Sequence, residues 1–217
     1  MDAIFFDIET APLSEDKIKA IAPEFKAPKN YKSDEAIARY ETEALASYIA
    51  DGALHAQTGR VMAIGYAIGD TCPPLVLYDE TGEKESYILR CFWKTITDNS
   101  GVMTRKVIGF NSVNFDVPFL IRRSWINGVD VPATVMHRYG PRVVLNDLFK
   151  DVMLEWSCGT MDRIKLDTLA KTLGVGAKNG DGALFHILAK TDYDKAMDYL
   201  YNDVELTREC ALKMKMA

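Results

Sequence analysis

The sequence predicts an α/β protein with a central mixed five-stranded sheet, a three-strand meander followed by strand and helix alternation, flanked by helices. Short runs rich in branched and aromatic residues, bounded by turn residues, give the strands. Apolar residues recurring every three or four positions give the helices between and after them. A chain of 217 residues that is 48% hydrophobic is long and apolar enough to bury one substantial core around such a sheet.

The elements follow in order. "AIFFDI" reads as a buried first strand. A polar region with Pro23 and Pro28 leads into "SDEAIARYETEALASYIADG", where Ser33 can cap and Ile37, Tyr40, Ala44, Leu45 and Tyr48 share a helical face, so a helical insertion is expected at about 14–56 of a single 1–217 domain. "GRVMAIGYAIGD" and "PPLVLYDE" complete the meander. "EKESYILRCFWKTITDN" predicts a helix and "KVIGF" a fourth strand. "VPFLIRRSWING" has Pro118 in its first turn and Gly128 at its end, the pattern of a bounded helix. "RVVLND" is the fifth strand. From "LFKDVMLEW" onward the pattern is mostly helical, including "LDTLAKTLG" and a long last helix from about Asp192.

Composition narrows the function classes. Charged residues at 26% and aromatics at 10% are those of a globular protein, not of a disordered or fibrous one. The longest apolar runs are much shorter than a membrane span needs, and with a strand near residue 1 and no basic leader a cytoplasmic protein is expected. Cys72, Cys91, Cys158 and Cys210 form no C-x-x-C pair, and His55, His137 and His186 have no partner at metal-ligand spacing, so zinc chemistry is disfavoured. The net charge of -5 first argues against a nucleic-acid partner, but acids that ligate cations do not present that charge to a polyanion.

Three acidic motifs carry chemistry. Asp7 and Glu9 in "FDIET" are two residues apart at the end of the first strand, so they point to one side and repel unless a cation or proton is shared. Alone, a D-x-E is better read as a turn. Asp116 in "VIGFNSVNFDVPFL" follows a strand and starts a helix, where a cap explains it equally well. Asn111 and Asn114 suit a turn or contacts to a nucleotide. In "YLYNDVEL", Tyr199 and Asp203 are four apart on one helical face, an arrangement that by itself is an ordinary surface pair.

Taken together and in this order, the motifs resemble those of the DEDD superfamily of 3′-to-5′ exonucleases. The tyrosine variant is indicated, since the histidine variant would have His where this chain has Asp198. The resemblance is nearest to the proofreading domain of family B DNA polymerases and its stand-alone phage and bacterial relatives, and spans nearly the whole chain. It implies a ribonuclease-H-like fold and a cytoplasmic, bacterial or phage-encoded enzyme.

Residue by residue, the resemblance implies Asp7, Glu9, Asp116 and Asp203 as ligands of two divalent cations, Mg2+ or Mn2+. Asp7 would be shared, Glu9 and Asp203 would complete one ion, Asp116 would hold the other, and Tyr199 would orient the attacking water. Two cations about 3.5–4 Å apart would activate that water and stabilise the departing 3′ oxygen. The implied substrate is the 3′ end of single-stranded nucleic acid, DNA favoured over RNA, with replication or repair proteins as possible partners and no membrane. Thr10, Asn111, Asn114, Phe115, Arg138 and Arg142 are candidate substrate contacts, "HRYGPR" with Tyr139 being the best basic segment. Arg122, Arg123, Lys165 and Lys178 are further cations that phosphate can meet, and "VGAKNGDG" is a phosphate-approaching loop or a plain turn. Asp147 and Asp167 read as helix caps. The competing readings are a catalytically weak nucleic-acid-binding module on the same fold and a different metal-dependent nucleotide phosphohydrolase.

Overall fold

The computed structural model describes residues 3–139, 141–180 and 185–217. They fall into two compact units, one formed by Met1–Glu9 with Val61–Ala217 and the other by Thr10–Arg60. The first unit is organised by a five-stranded sheet containing β1 (Ile4–Pro12), β2 (Gly59–Ile68), β3 (Leu75–Tyr78), β4 (Val107–Gly109) and β7 (Phe149–Asp151) in the order β3-β2-β1-β4-β7. β2 and β3 run antiparallel, whereas β4 is parallel to both β1 and β7. The sheet is therefore mixed, and its first three strands are neighbours in chain order as a meander requires.

Ile4, Phe5, Phe6, Val61, Met62, Val107 and Ile108 are fully buried, which is why the strands carrying them read as near-continuous apolar runs. Helices α3 (Glu85–Ile96) and α4 (Asp116–Ile126) are joined by an indole hydrogen bond, Trp93 Nε1 donating to Ser124 Oγ at 2.8 Å. They share a buried ion pair in which Arg123 donates from Nε and Nη2 to the Glu85 carboxylate at 2.8 and 2.6 Å. Arg123 is thus a structural cation rather than a phosphate contact.

The long last helix, α8 (Tyr193–Lys213), is capped by Asp192, whose carboxylate accepts the Lys195 N–H. It lies so close to β2 that a Cβ on Gly65 would stand 2.8 Å from Leu200 Cγ. α6 (Leu166–Leu173) and α7 (Phe185–Thr191) pack against it, and α6 ends on the left-handed Gly174 as its sequence requires.

One strand differs from its expectation. "RVVLND" does form a strand, β6 (Arg142–Leu145), but it pairs with β5 (Met136–Tyr139) in a separate antiparallel hairpin where Val143 and Val144 remain exposed. The fifth strand of the central sheet is β7, followed immediately by the short helix α5 (Val152–Ser157). With one apolar residue, Phe149, in three, β7 is held by pairing with β4 and carries no periodicity of its own.

In the second unit, α1 (Glu15–Ile21) precedes α2 (Asp34–Ala50), the helix expected there. Ser33 caps α2 by accepting the Ala36 N–H. Ring pairs Phe25 with Tyr48 and Tyr31 with Tyr40 order the polar stretch between the helices. No helix among the described residues is long and apolar enough to cross a membrane.

Candidate active site

The parallel strands β4 and β7 end side by side, with Gly109 opposite Asp151, and β1, which pairs with β4 through Ile4 and Phe5, runs on past them carrying Asp7 and Glu9. β1 remains extended through Pro12, so Asp7 and Glu9 do fall on one side of it. α8 brings Asp203 to the same place: one oxygen each from Asp7, Glu9 and Asp203 lie within 4.8 Å of one another. Asp116 is not part of that triplet. Its Oδ1 accepts the backbone N–H of Ile8, between the two strand acids, at 3.1 Å.

These carboxylates are held against their preference for ionising. Burial is the largest cause of a rise well above the ordinary range at Asp7, followed by the charges of Asp116 and Asp203. At Glu9 burial again leads, followed by Asp7 and Asp203. Asp116 is pushed up to about 7, chiefly by burial and against the lowering effect of the Ile8 hydrogen bond. Asp203 is raised by burial and brought back by Lys178 and by a hydrogen bond with Tyr199. Crowded acids of this kind call for protons or cations.

Lys178 brings a cation directly onto these acids. Its Nζ lies 2.6 Å from Asp203 Oδ2, donates to Tyr199 Oη at 2.6 Å, and stands 4.9 Å from the Tyr199 ring centre. The loop carrying it owes its path to two features. Asp167 accepts the Lys178 backbone N–H at 2.9 Å and pairs with Lys171, so it fastens this loop instead of capping α6. Gly180 approaches Tyr199 so closely that a Cβ would lie 2.7 Å from the ring. The glycine-rich segment therefore closes on the tyrosine, while Asp181 and Gly182 lie outside the described residues. Sequence reasoning gave Lys178 no more weight than the other basic residues, and the nearby glycines were its only signal.

A cleft of about 570 Å3 opens over Asp7 and Asp203, lined also by Asn111, Arg163, Lys165 and Lys178. That is within the usual range for a small-molecule site. Asn111 reaches it from a left-handed backbone conformation, φ 57°. Asn114 is exposed, and Phe115 packs its ring against Phe119 with centroids 5.6 Å apart. The Thr10 hydroxyl donates to the Ala53 carbonyl in the second unit. Arg138 and Arg142 are exposed on the β5–β6 hairpin, Arg138 beside Trp125 and Pro132 in a different groove. The structure does not bring these two arginines to the acids. The Tyr139 side chain and Gly140 lie outside the described residues. Asp147 is exposed in the turn before β7 and caps no helix.

The donor set fits a hard divalent cation. All candidate ligand atoms are carboxylate oxygens, the set that suits Mg2+ or Mn2+. Asp203 Oδ1 is buried with no hydrogen-bond partner, an acceptor that a cation would satisfy.

No family model matches the chain, and no curated protein does. Among solved structures, it is similar to the family B DNA polymerase from the hyperthermophilic archaeon Pyrobaculum calidifontis, with a TM-score of 0.63 and 16% sequence identity. The similarity covers 99% of this chain and 24% of that polymerase, so the chain spans about a quarter of its length. The fold is accordingly the ribonuclease-H-like α/β fold that the motifs imply, shared with part of a DNA polymerase.

Proposed function

We propose that the protein is a divalent-metal-dependent 3′-to-5′ exonuclease that hydrolyses single-stranded nucleic acid to nucleoside 5′-monophosphates. The observation that carries this reading is the convergence of Asp7, Glu9 and Asp203 within 4.8 Å, on a fold shared with a DNA polymerase. DNA is favoured over RNA because that neighbour is a DNA polymerase.

Asp7, Glu9 and Asp203, with Asp116 as the fourth acid, are the residues that would hold two Mg2+ or Mn2+ ions. Bound there, the ions would supply positive charge that acidifies water and stabilises the departing 3′ oxygen. The chain's own groups do the rest. Burial, and next the charge of Asp203, raise the Tyr199 pKa, so its hydroxyl stays protonated and orients the attacking water by hydrogen bonding. Lys178 brings a fixed positive charge to the cleft, where a phosphodiester brings a negative one.

A digestion time course on 3′-labelled and 5′-labelled single strands tests the reading. Wild-type protein with Mg2+ should release nucleoside 5′-monophosphates stepwise from the 3′ end, and Asp203→Asn and Asp7→Ala should abolish release while keeping the wild-type circular dichroism spectrum. Hydrolysis retained in either variant would remove the assignment. Strand binding without hydrolysis by the wild type would favour a binding module, and release from free nucleotides alone a nucleotide phosphohydrolase.

A further inference from the structure

Asp151 is a buried carboxylate near the acidic cluster with no task in the proposed chemistry. It ends β7 directly opposite Gly109 of β4 in their parallel register. Its Oδ1 accepts the backbone N–H groups of Asn111 at 2.9 Å, Met153 at 2.9 Å and Leu154 at 3.3 Å, and its Oδ2 accepts that of Val113 at 3.0 Å. Met153 and Leu154 open α5, so part of the carboxylate is a helix cap. Asn111 and Val113 belong to the distant β4–α4 loop. Four backbone donors engage this carboxylate, three at Oδ1 and one at Oδ2, so Asp151 ties together backbone from two separate segments.

The loop it holds leads straight to the acids. Asn111 adopts a left-handed φ of 57°, which asparagine tolerates better than most non-glycine residues, and its N–H is fixed there by the bond to Asp151. The turn closes through Phe115 N–H to the Asn111 carbonyl and Val117 N–H to the Ser112 carbonyl, at 3.1 and 2.9 Å. It is tight enough that a Cβ on Gly109 would lie 2.6 Å from Ser112 Oγ. It ends at Asp116, whose carboxylate accepts the N–H of Ile8 between Asp7 and Glu9. One continuous path thus joins Asp151 to the backbone that presents both strand acids.

We propose that Asp151 is a positioning residue: its carboxylate fixes the 111–115 turn, and through that turn the placement of Asp116 and Asn111 relative to Asp7 and Glu9. The inference rests on the metal-dependent reading of the cluster. Residues that orient metal ligands in this way typically affect metal affinity or activity by about 10- to 100-fold when replaced.

The test separates the clamp from the helix cap. Asp151→Ser keeps a good capping oxygen for α5 but shortens the reach to Asn111 and Val113. Asp151→Asn keeps the shape but turns an amide donor toward backbone donors, and serves as the second variant should the serine protein fail to fold. Leu154→Gly, at an exposed α5 position, weakens that helix without touching the loop. Mn2+ binding by calorimetry and the Mg2+ dependence of nucleotide release should both weaken about 10- to 100-fold in the Asp151 variants, with faster amide exchange at Asn111 and Val113. Leu154→Gly should lower Tm without that shift.

Wild-type metal binding in the Asp151 variants, or an equal loss in Leu154→Gly, overturns the inference. If the wild type releases no nucleotide, the exonuclease reading falls, and Mn2+ calorimetry still decides the role of Asp151.

Discussion

Replacing Asp116 by Asn should flatten a pH dependence of stability that the wild-type protein carries when divalent cations are removed. In the folded chain the Asp116 carboxyl is pushed from an ordinary 3.8 to about 7, mainly by burial. Between those values the folded state binds more protons than the unfolded state, so stability falls as pH rises. The contribution is complete below the unfolded pKa and gone once pH passes the folded one.

From pH 5 to pH 8 about two pKa units of that interval are crossed, which at about 1.4 kcal/mol per unit amounts to about 3 kcal/mol. For a protein of this size that is a Tm fall of roughly 6–12 °C. Asp116→Asn has nearly the same shape, keeps an oxygen for the Ile8 N–H, and has nothing to ionise. Asp7 and Glu9 titrate in the same direction but are present in both proteins, so the wild-type minus variant difference isolates Asp116 and its coupling to them. Thermal unfolding with a chelator at intervals from pH 5 to 8 measures it. Saturating Mg2+ at pH 8 should recover the loss, because a cation bound only by the folded state stabilises it by mass action. A difference that stays constant, or grows in favour of the wild type as pH rises, would refute the reasoning.

Two further perturbations address the same site. Lys178→Met removes the ammonium that lies 2.6 Å from Asp203, so Mn2+ should bind tighter in calorimetry while turnover falls; weaker binding would mean that Lys178 supports the cation rather than competing with it. Gly65→Ala would put a Cβ 2.8 Å from Leu200 and 2.9 Å from Val204, forcing α8 away from β2; unfolding should show a cost of about 1–3 kcal/mol, with nuclease activity lowered because Tyr199 and Asp203 ride on α8.

How much of this was legible in the sequence depends on where the partner of each residue lies. Asp7 and Glu9 could be paired from sequence because strand alternation is fixed at two, and Tyr199 and Asp203 because one helical turn brings residues four apart together. β7 could not, because three residues flanked by α5 have no period to read, and its pairing with β4 is 42 positions away in register. The exposed valines of β6 imitated the missing strand.

Charged residues were least legible, since the same lysine, arginine or aspartate takes opposite roles according to what the fold sets opposite it. Arg123 resembled a phosphate contact until Glu85, from another helix, proved to be its partner. Lys178 resembled any loop lysine until Asp203 and Tyr199 arrived on α8. Asp151 sat in a segment read as helix, and its cap is local, yet its hold on Asn111 spans 40 residues. Local spacing could therefore pair Asp7 with Glu9 and Tyr199 with Asp203, and the order of the motifs rather than any spacing singled out Asp116, while the residues that aim these acids and balance their charge emerge only when β4, β7 and α8 are brought to one end of the sheet.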